Sequence, residues 1–173
     1  MEHFDLEDMF GRRKKPKLSL FTRIMTEPVS TGPGGILYGY SVILGIKNDG
    51  RGMARFPNLT FSLAPTPPYR IIQYGLNGNG QNGLPQRIAW DQPMICLAGG
   101  SDHVIHANTV LEITKTDQIN IHETRLETPP ADLIIKYQIT AQDAKMIDAS
   151  ETILGETALA EISKMAEKRK STT

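Results

Sequence analysis

Hydrophobic and polar positions alternate most regularly between residues 38 and 47. One face of this segment carries Tyr38, Tyr40, Val42, Leu44 and Ile46, and the other carries Gly39, Ser41, Ile43, Gly45 and Lys47. Because successive side chains of a β-strand point to opposite faces, this alternation predicts a strand. Asn48, Asp49 and Gly50 tolerate a positive φ, and an extended run follows up to Pro57. The stretch therefore predicts an antiparallel hairpin, with Gly50 and Gly52 serving the geometry of its turn.

The same two-residue period recurs along the chain and predicts further strands. Longer strands are expected at residues 18–25, 59–63, 110–115 and 133–141, and shorter ones within 69–76, 86–90 and 93–97. The prolines and glycines of PVSTGPGG, residues 28–35, are expected to end the first strand. The segment 133–141 has a clean apolar face, and we expect it to meet the strand at 38–46 either beside it or across the core.

The spacing becomes helical near the C-terminus, where Leu159, Ile162 and Met165 lie on one stripe. We divide the chain into a charged arm or linker at 1–17, a β-sandwich domain at 18–148, and a C-terminal helix and tail at 149–173. Many short strands separated by Gly/Pro-rich turns predict a mainly β fold, an antiparallel immunoglobulin-like β-sandwich with a short N-terminal arm and a C-terminal helix. A small barrel is the alternative fold.

Composition limits the classes of partner and compartment. The chain has 173 residues, 39% of them hydrophobic, and a formal net charge of +0, which removes a global electrostatic attraction to nucleic acid or anionic membrane. The single cysteine, Cys96, lies among apolar residues and is expected to be a buried thiol. The sequence has no apolar run approaching the roughly 20 residues that span a bilayer. We therefore expect a cytoplasmic protein with no membrane partner.

Catalytic and cofactor motifs do not emerge from the sequence. His103 and His106 are three residues apart, so on a strand they would point to opposite faces and could not share a metal ion. The glycine-asparagine loop at 75–85 ends in a proline where a phosphate-binding loop would begin its helix. Trp90 is expected to fill the core. We expect no catalytic, cofactor-binding or metal-ligating residues, no cofactor, and no enzymatic activity.

A basic run gives the candidate binding residues. It follows an acidic N-terminus and comprises Arg12, Arg13, Lys14, Lys15 and Lys17. Clustered cations bind nucleic acid by releasing counterions from its phosphates, and Arg51 and Arg55 of the predicted hairpin would assist. The arm has no interleaved aromatic residue to stack on bases, so the favoured interpretation is a solvated linker.

Four phrases carry a resemblance to a known family: DLEDMFGRRKKPKLSL, VILGIKNDGRGMARFPNLTFSL, GGSDHVIHANT and LIIKYQITAQDAK. Together they resemble the C-terminal β-sandwich region that follows an AlbA-like, Schlafen-type domain, associated with DNA and ATP binding, in many bacterial proteins. The resemblance covers residues from about 6 to 145. It implies a non-enzymatic accessory or interaction domain of a bacterial regulatory or DNA-binding protein. The implied partners are an AlbA-like domain, upstream or in trans, and a protein; the alternative is direct nucleic-acid binding through the basic arm.

Overall fold

The strands form two antiparallel sheets. The computed structural model describes residues 14–32, 35–64, 72–73, 86–87, 95–98, 103–116 and 118–171. Its strands are β1 Leu18–Gly32, β2 Gly35–Asn48, β3 Ala54–Ala64, β4 Ile72–Gln73, β5 Gln86–Arg87, β6 Ile95–Ala98, β7 Val104–Ile105, β8 Thr109–Lys115, β9 Ile119–His122, β10 Leu133–Gln142 and β11 Ile147–Ile153. A short 3₁₀ helix spans Glu123–Arg125 and the helix α1 spans Gly155–Lys170.

One sheet has the order β1-β2-β8-β4, with β9 also pairing β2, and the other has the order β11-β10-β3-β6-β5, with β7 also pairing β3. Apolar side chains of both sheets form one buried cluster, which includes Val42 and Leu44 of β2 and Ile135 and Ile139 of β10. The predicted antiparallel β-sandwich with a C-terminal helix is therefore confirmed. Strands β2 and β10 lie in opposite sheets and contribute to the same buried cluster, so they are not side by side.

The predicted hairpin at 38–57 is wrong in its pairing, although both of its extended segments exist. β2 pairs with β1, β8 and β9, whereas β3 pairs with β10 in the opposite sheet. Residues 49–53 therefore cross between the sheets. The physical reason is that each strand has an apolar face, and stacking the two faces across about 10 Å buries both, which side-by-side pairing would not do.

The first strand does not end at the proline-rich segment, because β1 continues through Pro28 to Gly32. β1 lies at one end of its sheet order, where a residue without an N–H loses no ladder hydrogen bond. The pairing with β2 changes register between Pro28 and Ser30. A bulge on an edge strand thus accommodates the proline, and the break is local rather than complete.

The C-terminal helix is shorter than predicted, because residues 147–153 form the edge strand β11. The helix begins at Gly155, whose N–H donates to Asp132 Oδ1 at 2.8 Å, and a carboxylate at this end also favours the helix dipole. Its buried stripe is Ala158, Ile162 and Ala166, while Leu159 is half-buried. The helix packs against β1 and β2. Within the described residues, no helix is long and apolar enough to cross a membrane.

Candidate nucleic-acid interface

The side chain of Asn48 joins three segments of chain at one end of the sandwich. It ends β2 and is 0% exposed. Its Oδ1 accepts hydrogen bonds from the backbone N–H groups of Lys17, at 3.1 Å, and Gly50, at 3.0 Å. Its Nδ2 donates to three backbone oxygens: Gly52 at 2.7 Å, Ile105 at 3.2 Å and His106 at 3.2 Å. One buried amide therefore fixes the end of the arm, the crossover between the sheets and the segment after β7.

Backbone hydrogen bonds hold the arm beside the crossover. The Asp49 N–H donates to the Lys17 carbonyl at 2.9 Å, and the Gly52 N–H donates to the Lys15 carbonyl at 3.2 Å. A Cβ on Gly52 would overlap the Lys14 carbonyl oxygen. Neither Gly50 nor Gly52 has a positive φ, so the turn-geometry interpretation of these glycines is wrong. They are required because the arm backbone approaches them closely.

This arrangement brings together five of the seven basic residues expected from the sequence. We call Lys14, Lys15, Lys17, Arg51 and Arg55 the basic surface; all five are exposed. Arg51 lies in the crossover bonded to the arm, and Arg55 pairs with Val104 next to the Ile105 carbonyl that Asn48 binds. Arg12 and Arg13 lie outside the described residues.

The cations of the basic surface have no acidic partner within ion-pair distance in the part of the chain that the structure describes. Asp49, the acidic residue in the crossover, instead pairs with Lys47 at 2.9 Å. Charges that are exposed and not neutralised by carboxylates remain available to an anionic partner. Although the whole chain has a net charge of +0, the described segments 14–17 and 49–57 carry five exposed cations and one carboxylate, that of Asp49.

An exposed aromatic residue beside the basic surface was missed by the sequence analysis. Phe56 follows Arg55, is 47% exposed and has φ 51. The sequence contained a signal for it. Phe56 is at an even position, whereas the buried residues Leu59 and Phe61 are at odd positions, so regular alternation along β3 already places Phe56 on the exposed face. The arm lacks an aromatic residue, but the folded surface has one beside its cations.

Among the described residues, His103 and His106 do not belong to a group of side chains that could hold a metal ion. His103 is half-buried and His106 is exposed, on either side of β7. In the described ranges, no group of three or more His, Cys, Asp or Glu side chains could hold a metal ion. The expectations for Trp90, the 75–85 loop and the Cys96 side chain fall outside the described part of the chain.

Two concavities lie away from the basic surface. One, of about 540 Å³, lies between β1, β11 and the start of α1. Two of its polar side chains have partners within the fold: Thr22 donates to Glu151 at 2.8 Å, and Arg23 pairs with Glu112 at 2.8 Å. The pKa of Tyr137 is raised, mainly by burial and to a smaller extent by the negative charge of Glu151. Burial raises the pKa of Tyr40 as well. Both shifts keep the phenols neutral, so neither tyrosine is prepared to act as a base.

The second concavity, of about 630 Å³, lies around β9 and the 3₁₀ helix. Its His122 Nδ1 accepts a hydrogen bond from the Thr124 N–H at 3.3 Å and lies 2.9 Å from Thr124 Oγ1. This histidine thus caps the 3₁₀ helix that follows it. A local structural contact accounts for the geometry of this side chain.

Comparisons with known proteins leave the function of this chain open. No family model matches the chain, and no curated protein matches it. Among solved structures, a cohesin module from a family 33 glycoside hydrolase of Clostridium perfringens has a TM-score of 0.38 at 10% identity, covering 82% of this chain and 96% of that one. A protein described as ApaA from Bordetella pertussis has a TM-score of 0.37 at 11% identity, covering 83% and 95%. At these values neither likeness indicates a function for this chain.

Proposed function

We propose that this chain is a non-enzymatic accessory domain that binds nucleic acid through the basic surface. The observation that supports the proposal is the convergence of Lys14, Lys15 and Lys17 with Arg51 and Arg55 at one end of the sandwich. Cations that contact phosphates release condensed counterions, which makes binding favourable at low salt and weaker as salt rises. The surface is held by buried hydrogen bonds to Asn48, so the spacing of the arm and the crossover is set before a ligand binds.

The sequence resemblance supports the cellular setting of this proposal. The domain would belong to a cytoplasmic bacterial regulatory or DNA-binding protein, with an AlbA-like domain, upstream or in trans, as its protein partner. Capture of this chain by a tagged AlbA-like domain after nuclease treatment would support a direct protein contact. Capture that disappears with the nuclease would mean that nucleic acid bridges the two.

The deciding measurement is a salt titration of binding to labelled DNA, single-stranded and duplex, followed by fluorescence anisotropy. Neutralising Arg51 and Arg55 in the variant R51Q/R55Q is expected to weaken binding and to reduce the slope of log K against log salt by about 0.7 to 0.9 per lost phosphate contact. The matched control R125Q/K164Q removes the same charge from exposed residues that lie away from the basic surface, and should leave the slope unchanged.

The proposal would be abandoned if the wild-type chain showed no salt-dependent affinity for either DNA at low ionic strength. It would also be abandoned if the control variant lost as much affinity as R51Q/R55Q, because binding would then follow net charge rather than this surface.

A further inference from the structure

We infer that the basic surface takes single-stranded nucleic acid, with Phe56 as the platform on which an unpaired base stacks. The inference rests on the proposed function and names the class of ligand that the surface selects. It depends on how β3 presents two consecutive side chains to solvent.

A bulge in β3 places Arg55 and Phe56 side by side on the surface. Arg55 pairs with Gln142 and Asn58 pairs with Thr140, so Phe56 and Pro57 together oppose the single residue Ala141. Burial follows this shift: Ala54, Pro57 and Leu59 are buried, whereas Arg55 and Phe56 are exposed in succession. In a regular strand one of these two neighbours would point into the core. The bulge therefore puts a cation and an aromatic ring on the same face of the sandwich.

The residue type at the bulge is not the one that backbone geometry favours. Phe56 has φ 51, a conformation that costs a bulky residue on the order of 1–3 kcal/mol. The other non-glycine residues with positive φ in the described chain are Asn108 and Asp143, which adopt this region at small cost. Restoring the register of Leu59 and Phe61 requires a bulge but does not require an aromatic side chain. A phenylalanine that is both strained and exposed is better explained by contact with a ligand.

Stacking chemistry decides between single strands and duplexes. In a duplex the faces of the bases are already stacked on their neighbours, whereas an unpaired base can lie on an aromatic ring. Phe56 follows Arg55 directly, and Met53, which is 49% exposed, lies between Arg51 and Arg55 in sequence. Cations that hold phosphates around an exposed aromatic and an apolar flank are the components of a single-strand site. A surface that bound duplex backbone alone would have no use for the ring.

The test compares binding of a labelled DNA strand, alone and annealed to its complement, by wild type and by Phe56→Asn. Asparagine retains the positive φ and removes the ring, so the fold should persist, which circular dichroism and a thermal melt would verify. We expect single-strand affinity to fall about 5- to 100-fold, with duplex affinity changing less than about twofold. Phe56→Trp should retain the single-strand affinity. Leu154→Asn changes an exposed apolar residue that lines the concavity between β1, β11 and α1, away from the basic surface, and should leave both affinities unchanged.

The inference is overturned if folded Phe56→Asn binds both forms as wild type does, or loses affinity equally for both. These results would leave the basic surface intact as a phosphate-binding site, so they differ from the absence of salt-dependent binding that would overturn the proposed function. If Phe56→Asn instead lost capture by an AlbA-like domain while keeping its DNA affinity, Phe56 would be a protein contact and the inference would again fail.

Discussion

At the scale of single residues, Asn48 determines more of the structure than its position at the end of a strand indicates. Its amide satisfies backbone groups of the arm, the crossover and the segment after β7, all with a side chain that is fully buried. We expect Asn48→Ala to lower the free energy of unfolding by about 3 kcal/mol or more, because several backbone groups would lose buried partners. Urea denaturation followed by circular dichroism measures this change.

Two further variants separate the role of the amide from that of side-chain size. Asn120→Ala changes an exposed asparagine on β9 and should alter stability by less than about 0.5 kcal/mol. Asn48→Asp keeps the shape but directs a carboxylate oxygen at the carbonyls of Gly52 and Ile105, so it should be at least as destabilising as alanine. Equal stabilities for Asn48→Ala and Asn120→Ala would contradict the role assigned to Asn48.

At the scale of elements, the stripe that helix α1 buries differs from the stripe predicted from the sequence. Ile162 is 0% exposed and belongs to the buried cluster, whereas Leu159, predicted on the same stripe, is half-buried and outside that cluster. We expect Ile162→Ala to destabilise the protein by about 2–5 kcal/mol, because it leaves a cavity between the helix and the strands β1 and β2. The matched change Leu159→Ala should cost markedly less in the same denaturation experiment. Equal costs for the two changes would instead support the stripe predicted from the sequence, which contains both residues.

The sequence predicted best those strands in which apolar and polar residues alternate regularly within the strand itself. Alternation at 38–46 and at 133–141 identified β2 and β10, because one face of each strand contributes to the same buried cluster, although β2 is buried on its other face as well. Pairing was predicted less well, since alternation is the same whether β3 lies beside β2 or across from it. Pro28 was predicted to end β1, although an edge strand tolerates proline. The sequence pattern does not show which strands lie at the edge of a sheet, because that position depends on the tertiary fold.

The candidate site shows the same division. Its cations could be identified in the sequence by residue type alone. That residues 14–17 lie close to Arg51 and Arg55 depends on hydrogen bonds between residues more than 30 positions apart in sequence, such as Lys17 and Asn48. The exposure of Phe56 could have been predicted from its even position against the buried odd positions Leu59 and Phe61, but the bulge that also exposes Arg55 beside it depends on the pairing of β3 with β10. Local patterns identified the components, and only the fold placed them together.

At the scale of the whole molecule, the boundary between arm and sandwich can be located by its contribution to stability. The sequence divided the two after Lys17, yet hydrogen bonds join Lys15 and Lys17 to the crossover. A chain that begins at Lys14 retains these bonds, and a chain that begins at Leu18 loses three of them: Lys17 to Asn48, Asp49 to Lys17, and Gly52 to Lys15. We expect the shorter chain to be less stable by about 2–4 kcal/mol, since each bond contributes about 1 kcal/mol.

The charges of the same segment should affect binding without affecting stability. The variant K14Q/K15Q/K17Q, made in the longer chain, keeps every backbone hydrogen bond but removes three cations of the basic surface. We expect it to unfold at the same urea concentration as the Lys14 chain while its slope of log K against log salt for single strands falls by up to about 2 units. The Leu18 chain should lose both properties. If the chain that begins at Leu18 proved as stable as the chain that begins at Lys14, the backbone hydrogen bonds of the arm would not contribute to stability. That result would contradict the proposal that these bonds hold the arm in the basic surface.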